Sequence, residues 1–234
     1  MKKLGIVSVL GLLLVVSIVG LTAQAQDEFH LDATFGVRMI AQLSEAYIGG
    51  LIDAMHDMTA TADLRTGDWD RMRDLLAQFE ESELSELSYN AWFLRPDGSY
   101  FKVEPGLISA NLSDRAYFPK VMAGETTIGD LVVSRSTGRK SMILTAPIFN
   151  GPTVVAALGV TLYLDDFSRF LEDKLQLPAG VSFFAYRTED LIICSHPNSD
   201  LLFEPFTSAG IKLVPGGSVV SDLLGWTFIL GTIE

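Results

Sequence analysis

Cysteine and histidine are both scarce in this sequence. Cys194 is the single cysteine in 234 residues, which excludes an internal disulfide framework. Its apolar neighbours in LIICSH predict a buried and unreactive thiol. His30, His56 and His196 lie far apart, with none of the close His or His-Glu spacings that hold a metal. We therefore expect neither a disulfide-stabilised fold nor a metal site.

Sequence motifs of catalysis are missing as well. There is no Gly-x-Ser-x-Gly turn, no Ser-x-x-Lys pair and no glycine-rich loop of the kind that binds phosphate. Paired acidic residues are frequent, but in an acidic chain such pairs are typical of solvated surface. The sequence predicts a protein that is not an enzyme and that needs no cofactor.

Basic side chains are in the minority. The 17 Lys and Arg residues stand against 29 Asp and Glu, so the formal net charge is −12 at pH 7. An acidic surface repels the phosphate backbone of nucleic acids and the anionic surface of membranes. The charge balance therefore argues against both as partners.

Long apolar runs are confined to the N-terminus. Residues 1–25 have the three parts of a secretory signal peptide: a basic start, an apolar run, and small residues at Ala23 and Ala25 ahead of a cleavage site near Gln26. The apolar run approaches the length of a membrane span, so an uncleaved anchor is the alternative. We expect the mature chain to be secreted, either to the periplasm or to the cell surface.

Helical periodicity dominates the region that follows. A long helix is predicted from residue 28 to about 63, with an apolar stripe formed by Phe35, Met39, Leu43, Leu51, Met55 and Met58. A second helix is predicted to begin at the N-cap Asp68 and to bury Met72, Leu75, Leu76 and Phe79.

Strand patterns begin at Tyr89. The stretch YNAWFLRPDGSYFKVE predicts a hairpin that turns at Pro96-Asp97-Gly98. LVVSRSTGRKSMILTAPIF predicts two strands around a Ser-Thr-Gly turn, and TVVAALGVTLYL one more. VSFFAYRTEDLIICSH predicts another hairpin, followed by a Gly/Pro-rich loop and a last strand, GWTFILGTI.

Two short helices are predicted among these strands, one between residues 111 and 124 and one from 165 to about 175. Their expected N-caps are Ser113 or Asp114 in the first and Asp165 or Asp166 in the second. Helices that come first and antiparallel strands that follow indicate the α+β class.

One short region reverses the sign of the charge. Arg115, Tyr117 and Lys120 combine a planar cation, an aromatic wall and a mobile cation. The nearby polar stretch adds Ser134, Arg135, Thr137 and Arg139. Cations gathered in an acidic chain favour a site for an anion. The alternative is that Arg115 pairs with a carboxylate such as Asp114 and that the aromatic residues belong to the core.

Four successive stretches resemble the Cache (PDC-type) extracellular sensor domains: WFLRPDGSYF, LSDRAYFPKVMAGE, GDLVVSRSTGRKSMILTAPIF and VVAALGVTLYLDDFSRFL. Each stretch is a weak signal alone, but the four occur in the family's order between residues 89 and 171. The resemblance implies a long N-terminal helix packed on a PAS-like antiparallel sheet. It also implies a small-molecule pocket between that sheet and a helical insertion.

The resemblance also suggests which ligand the pocket takes. Amino-acid-binding members hold the ligand carboxylate with an Arg-x-Trp and an upstream Tyr, and they hold its ammonium with a Tyr-x-Asp and a later Asp. The matching positions here are Arg115, Tyr117 and Ala110 on the carboxylate side, and Val132, Ser134 and Thr161 on the ammonium side. Because no ammonium acceptor remains, a small organic acid is favoured over an amino acid. The predicted ligand-binding residues are Arg115, Tyr117, Lys120, Ser134, Arg135 and Thr161.

The C-terminal part resembles the first hairpin of the second module of double-Cache receptors, although too few residues follow Leu177 for a whole module. We expect a reduced β lobe with Trp226 and Phe228 in its core. The predicted organisation is a signal peptide (1–25), N-terminal helices (27–82), a Cache-like core (85–175) and the C-terminal lobe (177–234).

Two functions follow from this sequence. The favoured one is a secreted sensory protein that binds a small polar metabolite and acts with a membrane receptor or kinase. The alternative is an interaction module with no ligand, which forms a homodimer or docks on a partner through its N-terminal helix.

Overall fold

The computed structural model describes the backbone of residues 6–81, 87 and 89–233, and side chains within those ranges from residue 33 to 232. The predicted signal peptide lies outside the residues with described side chains. Among the residues with described side chains, from 33 to 232, no helix is long and apolar enough to cross a membrane.

The chain forms four α-helices and ten strands within the described ranges. In chain order they are α1 (Ile6–Thr59), α2 (Trp69–Glu80), β1 (Tyr89–Leu94), β2 (Ser99–Lys102), β3 (Gly106–Asn111), α3 (Tyr117–Met122), β4 (Thr127–Val133), β5 (Lys140–Asn150), β6 (Thr153–Tyr163), α4 (Leu164–Leu175), β7 (Ser182–Arg187), β8 (Ile193–Ser195), β9 (Ile211–Ser221) and β10 (Trp226–Ile233).

The strands form two antiparallel sheets that share one long helix. The first sheet has the order β3-β2-β1-β6-β5-β4, and the second has the order β8-β7-β10-β9. Helix α1 contacts β5 and β6 of the first sheet and β9 and β10 of the second. The predicted α+β class, with a long helix on a PAS-like sheet and a helical insertion, is confirmed.

The buried face of α1 differs in part from the predicted stripe. Leu51, Met55 and Met58 are buried as expected, whereas Phe35 is 63% exposed and Met39 is 37% exposed. The buried residues at this end of the helix are Ala33, Val37, Ile40 and Ala41, spaced three and four apart. Phe35 and Met39 each lie two positions from a member of that stripe, so they point away from the sheets.

The predicted helix caps are correct in one case of three. The Asp68 carboxylate accepts a hydrogen bond from the Asp70 N–H, which caps α2 as expected. Helix α3 begins after Ala116 and α4 after Tyr163, and neither has a side-chain cap, so the predicted caps there are wrong. The acidic side chains proposed as caps pair with arginines instead: Asp114 with Arg135, and Asp165 and Asp166 with Arg139.

The C-terminal lobe contains more sheet than the sequence suggested. The Gly/Pro-rich segment predicted as a loop is the edge strand β9. In the first sheet, β3 was not predicted either. Proline is tolerated on an edge strand, where its missing N–H faces solvent. The register of β9 is irregular, because Ser218 pairs with Ile229 while Leu213 pairs with Gly231. Trp226 and Phe228 are fully buried, which confirms their place in the core.

Candidate functional site

A second apolar cluster covers the face of the first sheet that points away from α1. Alternation along β1 places Ala91 and Phe93 in the core beneath α1 and places Trp92 and Leu94 on the opposite face. Helix α3 packs on this opposite face through Tyr117 and Val121. The helical insertion predicted from the resemblance therefore lies over the sheet.

A pocket opens between that face and the residues that precede and follow α3. We call it the Arg115 pocket. It is lined by Trp92, Tyr100, Lys102, Leu112, Arg115, Tyr117, Val132, Ser134, Arg135, Ser136, Ile143 and Thr161. Its empty volume is about 380 Å³ with the open mouth included, but only about 30 Å³ admits water-sized molecules. That space suits about two waters, so a bound metabolite requires lining side chains to move.

Aromatic rings form the inner wall of the pocket. The Trp92 indole N–H donates a hydrogen bond to the Thr161 hydroxyl at 2.9 Å. The rings of Tyr100 and Tyr117 lie 6.0 and 5.9 Å from that of Trp92. Burial raises the pKa of both tyrosine hydroxyls, so each stays protonated at neutral pH. Protonated hydroxyls can donate hydrogen bonds to an anionic ligand.

Three cations line the mouth of the pocket. Arg135 is held by Asp114, with Nη1–Oδ1 and Nη2–Oδ2 distances of 2.9 and 2.5 Å. This pairing also lowers the pKa of the Asp114 carboxyl. Lys102 donates to the Ser136 hydroxyl at 3.2 Å, and burial lowers the pKa of the Lys102 amine.

Arg115, like Lys102, makes one hydrogen bond to a neutral group, and its guanidinium has more N–H donors than the Lys102 amine. Its Nη2 donates to the Val133 carbonyl at 3.3 Å, and no carboxylate among the described side chains pairs with it. The alternative pairing of Arg115 with Asp114 is not found, since Asp114 binds Arg135. The guanidinium of Arg115 therefore keeps donors available for a ligand.

Five of the six predicted ligand-binding residues come together here: Arg115, Tyr117, Ser134, Arg135 and Thr161. Lys120 does not, because it is exposed on α3 and faces a separate cleft. Tyr117 lines the pocket and is also buried in the apolar cluster, so its two predicted places, in the pocket and in the core, are compatible.

Arg139, from the same cationic stretch, lies outside the pocket. It binds Asp165 and Asp166 at the start of α4, and its guanidinium lies 3.9 Å from the centre of the Tyr163 ring. The cations clustered in sequence are therefore divided between a pocket and a structural ion pair.

Trp92, Tyr100 and Lys102 line the pocket but were not predicted. The signal for Tyr100 and Lys102 was strand alternation, since they lie two apart on β2 with Phe101 facing the α1 core. Nothing local distinguishes Trp92 from a core residue, because its role depends on β6, which lies next to β1 in the sheet but much later in sequence.

Carboxylates are absent from the lining of the Arg115 pocket among the described residues. Val132 presents a hydrocarbon side chain, and the Thr161 hydroxyl already accepts the Trp92 N–H. Ala110 is packed against the same apolar cluster. The described lining therefore supplies cations and hydroxyls, and the Asp114 carboxylate that binds Arg135 is not part of it.

Metal chemistry has no support in the described part of the chain, where no three His, Cys, Asp or Glu side chains come together. His56 Nε2 lies 3.0 Å from the Thr126 hydroxyl, and His196 is buried against the Phe184 ring at 4.3 Å. The predicted burial of Cys194 is confirmed, and burial raises the pKa of its thiol to about 12.

Comparison with solved structures gives a consistent set of neighbours, whereas no family model and no curated protein sequence matches the chain. An extracellular ligand binding receptor from Desulfohalobium retbaense superposes with a TM-score of 0.69 at 14% identity, over 86% of this chain. This chain spans 40% of that receptor's length.

Two chemoreceptor ligand-binding domains match over nearly their whole length. That of CtaA from Pseudomonas fluorescens, in complex with L-serine, gives a TM-score of 0.66 at 13% identity and covers 89% of this chain and 98% of its own. That of PctB from Pseudomonas aeruginosa, in complex with L-Gln, gives 0.63 at 15% identity, covering 86% and 90%. These neighbours are sensory domains of receptors rather than enzymes.

Proposed function

We propose that this chain, which has the fold of the Cache-type sensory domains of chemoreceptors, is a sensory protein that binds a small organic acid in the Arg115 pocket. One observation carries the proposal. Lys102, Arg115 and Arg135 line the pocket, while none of its described lining residues is acidic. In a chain with a net charge of −12, this is a local reversal of sign that suits an anion.

Arg115 is the proposed anchor for the ligand carboxylate. A guanidinium offers two parallel N–H donors that match the two oxygens of a carboxylate. The neighbouring tyrosine hydroxyls and the Ser134 hydroxyl supply further donors around the same oxygens. Arg135 adds positive potential, although two N–H donors of its guanidinium are bound to Asp114.

An amino acid fits this pocket less well than an acid without the amino group. The positions that would hold an ammonium are Val132, Ser134 and Thr161, and none carries a negative charge. Leaving an ammonium in such a pocket without an acceptor costs several kcal/mol. L-serine and L-Gln are the ligands in the structures of the neighbouring receptors, and they do not identify the ligand of this chain.

We further propose that the protein acts outside the cytoplasm. The supports are the signal-peptide pattern of residues 1–25 and the extracellular receptor among the structural neighbours. A secreted sensor passes its ligand state to a membrane receptor or kinase. The mass of the exported protein tests this, because cleavage near Gln26 removes the N-terminal segment and an uncleaved anchor keeps it.

A thermal-shift screen tests the proposed ligand class. The purified protein is screened against organic acids, amino acids, amines, sugars and purines. A ligand at about a hundred times its Kd adds about 2.7 kcal/mol of stability, which raises the Tm of a protein of this size by roughly 5 to 10 °C. We expect hits among the carboxylates that disappear in Arg115→Ala. Hits restricted to sugars or purines contradict the proposal.

The second candidate is an interaction module, and one observation favours it. Phe35 and Met39 are exposed on the outer face of α1, while the Arg115 pocket is nearly filled by its own side chains. Light scattering after size exclusion tests it. A dimer that ignores every ligand in the screen and dissociates in Phe35→Glu supports this function; a monomer that binds a carboxylate opposes it.

A further inference from the structure

A larger cleft lies between the two sheets and shares no lining residue with the Arg115 pocket. One wall is formed by Lys120 of α3 and residues 125–130 of β4 and the segment before it. The other wall is formed by the β7–β8 turn (Arg187 to Glu189) and the β9–β10 turn (Leu224 and Gly225). About 580 Å³ of this space admits water-sized molecules. We call it the Asp130 cleft, and its volume lies within the range of small-molecule sites.

A backbone bulge places an acid in this cleft. Ile128 pairs with Leu144 and Asp130 pairs with Ile143, so Gly129 is an extra residue in β4. Gly129 has a φ of +89°, a conformation that glycine adopts without strain. Because the bulge shifts the alternation, Asp130 lies on the opposite face of the sheet from Ile128, which packs in the α1 core. Asp130 thereby faces the α3 side.

The Asp130 carboxylate is half-buried and has no partner. It makes no hydrogen bond or ion pair with any side chain that the structure describes. Burial raises its pKa, while the charges of Lys120 and Arg187 act in the opposite direction. A partly desolvated carboxylate without a counter-ion is unfavourable. A ligand cation that contacts it recovers part of that cost.

Lys120 stands on the same wall as Asp130 and forms no ion pair within the described part of the chain. Its amine is exposed and is close enough to affect the Asp130 charge, yet the two form no ion pair. Arg187, by contrast, is occupied by its own turn, with Nε 2.9 Å from an Asp190 oxygen and 3.4 Å from a Glu189 oxygen. Glu125 also lines the cleft, but its side chain is exposed to solvent. Among the described lining residues, Asp130 is therefore the half-buried carboxylate, and Lys120 is the cation that no carboxylate holds.

The wall formed by the C-terminal turns is held in place by its own hydrogen bonds. The Thr188 N–H donates to the Gly225 carbonyl at 2.9 Å, and the Thr188 hydroxyl lies 2.9 Å from that of Thr227. The two turns are thus joined to each other. This wall of the cleft therefore consists of two turns that are bonded to each other and to β10.

We propose that the Asp130 cleft is a second binding site, for a small zwitterion whose ammonium pairs with Asp130 and whose carboxylate pairs with Lys120. A simple anion would meet repulsion from Asp130 and Glu125, and a simple cation would leave Lys120 without a counter-charge. The two side chains form no ion pair with each other, so both charges are open to one ligand. This site uses no residue of the Arg115 pocket.

Isothermal titration calorimetry tests the proposal with a series of increasing charge separation: glycine, β-alanine, 4-aminobutyrate and 5-aminovalerate. Butyrate and butylamine are the single-charge controls. Because butyrate is itself an organic acid, this comparison is made on Arg115→Ala, which disables the Arg115 pocket. We expect at least one zwitterion to bind that variant more tightly than either control. In the wild-type chain, Asp130→Asn and Lys120→Gln should each weaken zwitterion binding about ten-fold or more, while Arg115→Ala leaves it unchanged.

A loss of binding in Asp130→Asn is informative only if that variant is folded. Its Tm should be equal to or above that of the wild type, because the substitution removes a partly buried charge without changing the shape of the side chain.

Three results overturn the proposal. The first is that no zwitterion binds the wild-type chain at millimolar concentration. The second is that folded Asp130→Asn keeps its affinity. The third is that Arg115→Ala loses zwitterion binding, whether or not Asp130→Asn also loses it. That result assigns the ligand to the Arg115 pocket. The organic-acid proposal fails or holds independently, because its test compares carboxylate binding in the wild type and in Arg115→Ala.

Discussion

Trp92 on β1 and Gly159 on β6 are directly opposed across the first sheet, and the indole lies over the glycine. A Cβ at position 159 would come within 2.2 to 2.4 Å of three atoms of the indole ring. The same indole donates its N–H to Thr161, two residues along β6. The inner wall of the Arg115 pocket therefore depends on the missing side chain of Gly159.

Gly159→Ala tests this dependence. The added methyl forces the buried indole out of its position, and overpacking of this kind costs about 1 to 3 kcal/mol. We expect a lower urea midpoint and an altered tryptophan fluorescence. The matched control is Gly49→Ala in α1, where a Cβ would lie 3.8 Å from Leu223. That change should stabilise the helix by up to about 1 kcal/mol. Equal midpoints for the two variants would contradict the packing described here.

Arg115→Ala separates a binding site from a polar surface. We expect the affinity for any carboxylate found in the screen to fall about ten-fold or more, since a charge-assisted hydrogen bond contributes about 1.5 to 3 kcal/mol. Calorimetry on both variants measures the change. Lys120→Ala is the control, because it removes a cation of the same region that does not line the pocket. Organic-acid binding that depends on Lys120 rather than Arg115 would show that the wrong cation has been chosen.

Asp130 should give stability a distinct pH dependence. Burial raises its folded-state pKa above the ordinary value of 3.8. A raised pKa favours the folded state while the carboxyl is protonated, and this contribution is lost as the pH rises through the folded pKa. Asp130→Asn should therefore match the wild type below about pH 3.8 and exceed its Tm above the folded pKa. Melting curves between about pH 3.5 and 7.5 test the sign. A variant that is less stable near neutral pH would indicate a counter-ion for Asp130.

Cys194 should be unreactive until the protein unfolds. Its side chain is buried, its pKa is raised to about 12, and its Sγ lies 3.2 Å from the Ile192 carbonyl. Alkylation at about pH 8 needs both access and the thiolate. We expect no labelling of the native protein by iodoacetamide and complete labelling in denaturing urea. Rapid labelling of the native protein would place Cys194 at the surface, and mass spectrometry after digestion locates the modified residue.

Local patterns were sufficient for most of the elements. The turn at Pro96-Asp97-Gly98 connects β1 and β2 as predicted, with Gly98 at a φ of +82° that favours glycine. Asp68 caps α2, and Trp226 and Phe228 enter the core. These features depend on residues a few positions apart, so the sequence contains the information directly.

Long-range pairing limited the remaining predictions. Strand β9 contains Pro215, Gly216 and Gly217, which are typical of a loop, yet pairing with β10 makes this segment an edge strand. The acids proposed as caps are drawn to Arg135 and Arg139 from other elements. In each case a partner distant in sequence outweighs the local preference.

The sequence by itself determined the class of fold, most of its elements and the presence of cations in one short region, because periodicity, turn chemistry and charge are local properties. Tertiary structure decided which of those cations share a pocket. Arg115 and Arg135 line it, Lys120 faces the Asp130 cleft, and Arg139 holds the start of α4. The reason is geometric. Side chains that are neighbours in the sequence are turned to different faces by strand register and by the bulge at Gly129, and the contact of Trp92 with Gly159 positions the pocket wall.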